Sequence, residues 1–142
     1  MVAIGAALGI GKAVETSGLA SVSAQHMVAM LRPFGPAGVL AGVYLLTLIF
    51  TEIVTNNAAA ALAFPLAHAT ALSMGVNFMP FAIVIATAAS LGFATPLGYQ
   101  THLMVYGAGG YRFSDYVRIG VPLDLLMMVV AVTLTAYFFP FR

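Results

Sequence analysis

The sequence predicts an all-α integral membrane fold. Three observations carry that expectation: 62% of the residues are hydrophobic, only 6% are charged, and the apolar runs are long enough to cross a bilayer. Soluble domains carry about 25% charged residues. With a mean hydropathy of +1.04, a 142-residue chain has more apolar surface than a small soluble fold can bury, so lipid must cover part of it. The net charge of +1 and the lack of basic clusters argue against nucleic-acid partners. There is no cysteine, so disulfide and thiol chemistry are excluded. Three scattered histidines without carboxylates at ligand spacing make a transition-metal site unexpected.

Residues 1–11 are apolar at once, without the basic start of a signal peptide. They are too short to span, since a spanning helix needs about 20 residues. They read as the end of a helix that begins upstream. Residues 19–32 predict a short interfacial helix whose face is Leu19, Val22, His26, Met27 and Met30. Pro33-Phe34-Gly35-Pro36 breaks the chain.

The run from Ala37 to Met74 is apolar except at its centre, where Thr51, Glu52, Thr55, Asn56 and Asn57 fall. Two full spans would need about 20 residues each, and a re-entrant hairpin over 37–75 fits the shorter arms better. Its tip exposes unpaired helix-end groups: N–H donors at Asn57-Ala58-Ala59 for an anion, and carbonyls on the first arm for a cation. A plain loop between two spans explains the same local pattern. Residues 79–107 are long enough to cross, but Ala94-Thr95-Pro96-Leu97-Gly98 interrupts them. Pro96 removes a donor and Gly98 adds freedom, so an unwound centre is expected. A packing kink is the rival reading. Two interrupted segments in one short chain point to a secondary transporter's binding site. Tyr111–Arg118 reads as a polar loop, and 119–140 as a final span beginning near Pro122. Arg112 and Arg118 place that loop in the cytoplasm and the hairpin opening outward.

Glu52 is expected to be a structural group satisfied by Thr51 and Thr55. Asp124 is expected to sit near a helix start, where an acid complements the dipole. His68 and His102 read as packing residues. The sequence has no nucleophile–base constellation and no phosphate-binding Gly-rich loop, so it does not read as an enzyme.

Thr51-Glu52-Ile53-Val54-Thr55-Asn56-Asn57-Ala58-Ala59-Ala60 with Phe64-Pro65 resembles the outward-opening hairpin of the divalent anion:sodium symporter (citrate transporter-like) family. Thr95-Pro96, Gly98-Tyr99-Gln100-Thr101 and Gly109-Gly110-Tyr111-Arg112-Phe113 resemble the broken helix and following loop of the same family, in its sulfate permease-like subgroup. Members consist of two inverted repeats, and this chain matches the second, as a C-terminal half. The resemblance implies Na⁺-coupled symport of a divalent anion, either sulfate or a dicarboxylate, by a multi-pass protein of the cell (inner) membrane. It implies an anion touched by Thr55, Asn56, Asn57, Thr95 and Pro96. It implies Na⁺ held by Thr51 and Asn56 with main-chain carbonyls near Val54 and Ala94, and no other cofactor. The expected partners are the anion, Na⁺, the bilayer, and the missing first repeat or another copy, with a homodimer for the full-length protein. Where the family usually reads Ser-Asn-Thr, this chain has Thr55-Asn56-Asn57, an amide in place of the last hydroxyl. The rival readings are a proton-coupled or uncoupled anion transporter, or a membrane fragment that transports nothing.

Overall fold

The computed structural model describes residues 16–141, together with Gly5, Ala6, Gly9, Ile10, Lys12 and Ala13. The partial helix expected over residues 1–11 lies largely outside the described residues. The described chain is helical without strands: α1 Leu19–Leu31, a 3₁₀ turn Arg32–Phe34, α2 Gly35–Ile53, α3 Asn56–Met74, α4 Met79–Ala89, α5 Gln100–Gly109 and α6 Phe113–Phe138. Two helical stretches are long and apolar enough to cross a membrane, Val22–Ile53 and Phe113–Phe138.

The α1–α2 corner is where the proline cluster was expected to break the chain. Gly35 takes a positive φ of 72° there, a conformation only glycine adopts without strain. Gly42 of α2 lies against the Leu31 and Met27 side chains of α1, so the two helices pack closely after the turn. The face that α1 buries differs from the expected one. Ala24 is fully buried and Met27, Val28 and Leu31 are half-buried, whereas Leu19, Val22, His26 and Met30 are exposed. The physical reason is that packing in a membrane favours a small residue at the contact over the most apolar face, because lipid solvates the large side chains equally well.

α2 and α3 have 19 residues each, about 28 Å at 1.5 Å per residue. Only Val54 and Thr55 separate them, both in extended conformation. They pack on each other and both pack on α4. The seam on α3 is Ala59, Ala63, Ala67 and Ala71, all buried. Alanine at every fourth position makes a smooth stripe on which Val39, Leu40, Val43, Tyr44 and Leu48 of α2 and Phe81, Val84, Ile85 and Ala88 of α4 close the core. Pro65 lies within α3 without ending it. Gly75, with φ 65°, terminates α3, its N–H donating to the Ala71 and Leu72 carbonyls.

The segment from 90 to 99 is non-helical, a longer interruption than Pro96 and Gly98 alone suggest. α5 follows it without a buried residue and is tied to the bundle through aromatic rings. His102 meets Phe93, Tyr99 and Tyr116 at centroid distances of 6.4, 5.5 and 5.8 Å. His68 also packs among rings, stacked on Phe64 at 6.2 Å with Phe78 edge-on at 5.3 Å.

The polar loop expected at Tyr111–Arg118 is instead mostly the first turn and a half of α6, which starts at Phe113 and runs 26 residues through Pro122. Asp115 starts the helix there: its carboxylate accepts the Arg112 main-chain N–H at 2.8 Å, which ties down the chain just before the first turn. The polar residues that suggested a loop are therefore the capping turn of a long helix.

Candidate functional site

Four helix ends border the two interruptions. α2 and α4 bring their C-termini and α3 and α5 their N-termini. Helix C-termini offer carbonyls and a partial negative charge, and N-termini offer N–H groups and a partial positive charge. The first α-helical bond of α3 is from Ala59 N–H to the Thr55 carbonyl at 2.9 Å. The N–H groups of Asn56, Asn57 and Ala58 precede it, and no side chain caps the helix. Asn57 and Thr55 are exposed, and Asn56 is half-buried.

The tip and the break are hydrogen-bonded together. Thr51, fully buried, donates its hydroxyl to the Ala89 carbonyl at the end of α4, at 2.7 Å. The same oxygen lies 3.0 Å from the Asn56 amide oxygen. Glu52 reaches the break with both carboxylate oxygens. Oε1 accepts Ala94 N–H at 2.9 Å and Oε2 accepts Thr95 N–H at 2.7 Å. The Thr95 hydroxyl returns a bond to the Glu52 main-chain carbonyl at 2.9 Å. Two close approaches depend on glycine: a Cβ on Gly92 would lie 3.4 Å from Glu52 Oε1, and one on Gly98 would lie 3.3 Å from the Thr51 carbonyl.

The last helix supports the break from another side. Gly120 lies so close that a Cβ there would overlap the Phe93 carbonyl and Ala94 Cα. One turn on, Asp124 is 3% exposed and its Oδ1 accepts Phe93 N–H at 3.3 Å. Its Oδ2 is buried and finds no donor among the described residues, and the carboxyl of Glu52 stands beside it. Tyr44 Oη and His102 Nδ1 are the other buried polar side-chain atoms without a partner there. His102 also borders a cavity of about 290 Å³ lined mainly by Phe93, Tyr111, Tyr116, Ile119 and Leu123.

The structure thus brings Thr51, Asn56, Ala94 and Thr95 into one bonded neighbourhood, through Glu52. Two expectations change. Glu52 is satisfied by the N–H groups of Ala94 and Thr95, 42 and 43 residues away, and not by Thr51 and Thr55. Asp124 is the twelfth residue of α6, far from the helix start where a dipole would explain it. The N–H groups of Ala94 and Thr95 in the break are occupied by the protein's own carboxylate. Pro96 is buried behind them. The signal that marks both acids is simple: each is a carboxylate inside an apolar helix.

Apolar helices, small-residue seams and interrupted segments carrying buried polar groups define a helical membrane protein. Comparison with known proteins gives the family: residues 1–141 match the sodium:sulfate symporter transmembrane region, and the chain belongs to that family of transporters. It is 42% identical over 118 residues to an uncharacterized transporter of Synechocystis sp., covering 83% of this chain and 19% of that protein. It is 33% identical over 135 residues to sodium/sulfate cotransporter 1 of Chlamydomonas reinhardtii, covering 94% of this chain and 15% of the relative. A sodium-dependent dicarboxylate transporter of Staphylococcus saprophyticus is 25% identical over 142 residues, 99% of this chain and 27% of the relative. The chain therefore spans between about a seventh and about a quarter of the length of these curated relatives.

Proposed function

We propose that this chain is the second repeat of a Na⁺-coupled symporter for a small divalent anion, sulfate or a dicarboxylate, in the cell membrane. α2 and α3 form its re-entrant hairpin, and α4 and α5 its broken helix. Na⁺ is held at the tip by the Thr51 hydroxyl and the Asn56 amide, with the Val54 and Ala94 carbonyls. The anion meets Thr55, Asn56 and Asn57 and the uncapped start of α3, with Thr95 and Pro96 bordering it. Na⁺ between two C-terminal carbonyl sets and an anion on an N-terminal donor set are complementary, so each raises the affinity of the other. Half of the site comes from the first repeat, which moves with this one against a fixed scaffold.

The observation that carries this reading is the interlock of Glu52 with Ala94 and Thr95. It fastens the tip to the break and makes one site of two segments about 40 residues apart. Support also comes from relatives named as sodium/sulfate and sodium-dependent dicarboxylate transporters. The test is uptake of radiolabelled sulfate and succinate by proteoliposomes holding the whole permease that contains this segment. An inward Na⁺ gradient is expected to drive saturable uptake of one of them. Equal rates in Na⁺ and choline would overturn the coupling.

A further inference from the structure

We propose that Glu52 and Asp124 form a two-carboxylate clamp that aims the carbonyls of the broken segment, and that Asp124, from the last helix, is a positioning residue for cation binding. The inference rests on the Na⁺ site proposed above and extends it to a helix that contributes no ligand.

Three consecutive peptides are gripped by their N–H groups. Phe93 N–H goes to Asp124, and Ala94 and Thr95 N–H go to Glu52. All peptides here are trans. In a planar trans peptide the carbonyl points opposite to the N–H. Holding the N–H of Thr95 therefore fixes the direction of the Ala94 carbonyl, the proposed Na⁺ ligand, and points it away from the acids. The Ala94 N–H fixes the Phe93 carbonyl in the same way, and the Phe93 N–H fixes that of Gly92. Successive N–H groups converging like this form a small anion-binding concavity. Here it is filled by the protein's own carboxylates, which leaves the Ala94 carbonyl on the opposite side for a cation.

Asp124 is more than packing. Its carboxyl is buried in the apolar stretch of α6 that follows Arg118, its Oδ2 has no hydrogen-bond partner among the described residues, and the Glu52 carboxyl lies beside it. Burying such a group costs free energy, and an apolar side chain would avoid that cost. Gly120, one turn earlier, removes the side chain that would keep α6 from the Phe93–Ala94 backbone. Gly120 and Asp124 thus make one face, an absent side chain followed by an acceptor, shaped to a main chain. Tyr44 is the other titratable group near Asp124.

The test uses the whole permease in proteoliposomes, comparing Asp124→Ala, Asp124→Asn and Glu52→Gln. Asp124→Ala is expected to raise the half-saturating Na⁺ concentration about tenfold, the size of one lost hydrogen bond to a charged group. The maximal rate per inserted molecule at saturating Na⁺ should be retained. Asp124→Asn keeps an acceptor for Phe93 and offers Glu52 an N–H, so it should restore Na⁺ affinity. Glu52→Gln, with one acceptor for two N–H groups, should shift Na⁺ affinity in the same direction as alanine at 124. A fall in maximal rate with unchanged Na⁺ affinity would overturn the clamp, as would an asparagine variant no better than alanine. A second readout does not need transport. This segment has no cysteine, so in a permease whose remaining cysteines are replaced by serine, Leu97→Cys, exposed in the break, gives a single thiol. Its maleimide labelling is expected to quicken when Asp124→Ala is added, and an unchanged rate would also overturn the clamp. A wild-type permease without Na⁺-driven uptake would sink the symport reading, and the labelling experiment would still judge the clamp.

Discussion

Thr51 shows how much one hydroxyl can hold. It is fully buried at the end of α2, and it ties that helix to the end of α4 through the Ala89 carbonyl. Thr51→Val keeps the shape and leaves that carbonyl unpaired, an expected cost of about 1–3 kcal/mol. The fall should appear in thermal unfolding of the detergent-solubilised protein. Asn57, by contrast, is exposed at the tip, so Asn57→Thr is expected to change anion selectivity between sulfate and succinate with unfolding unmoved. That Thr51 and the Asn pair mark the interruption could be read from the sequence because polar residues stand out in an apolar run. The partners of Glu52 could not, because hydrogen bonds across about 40 positions leave no local pattern.

At the scale of the element, the alanine stripe of α3 and the glycines of α6 and α5 make contrasting cases. Ala67 is fully buried at the seam. Ala67→Leu forces α2 and α4 apart, an expected loss of about 1–3 kcal/mol, measurable as a lower unfolding temperature. Gly120→Ala puts a Cβ into the Phe93–Ala94 main chain. Backbone cannot rotate aside as a side chain can, so the variant is expected to lower the yield of folded protein on size-exclusion chromatography. A Cβ on Gly107 of α5 would meet nothing within 4 Å. Gly107→Ala should be tolerated and gain up to about 1 kcal/mol of helix propensity. The positions of α2, α3 and the break followed from apolar length and from Pro and Gly. The start of α6 did not, because a capping turn and a polar loop draw on the same kinds of polar residue, here Arg112 and Asp115.

For the whole molecule, the question is which apolar surface faces lipid or other protein. In α6, Val132 is buried while Val129, Leu126 and Tyr137 are exposed. A single cysteine at Val129 is expected to react with a membrane-phase maleimide, and one at Val132 to resist it. Equal reactivity would mean that α6 packs differently. The sequence by itself determined that the chain is helical, that it belongs in a bilayer, and that polar character concentrates at two interruptions. Those properties are sums over neighbouring residues, so composition and periodicity record them. Only the tertiary structure decided that the two interruptions are bonded into one place, that Glu52 fills the N–H groups of the break, and that Gly120 and Asp124 of the last helix press on the same backbone. Each of those facts joins residues far apart in the chain. In lipid, apolar pattern does not say which face turns inward, and the close approach of small residues and the need to satisfy buried main-chain groups decide it instead.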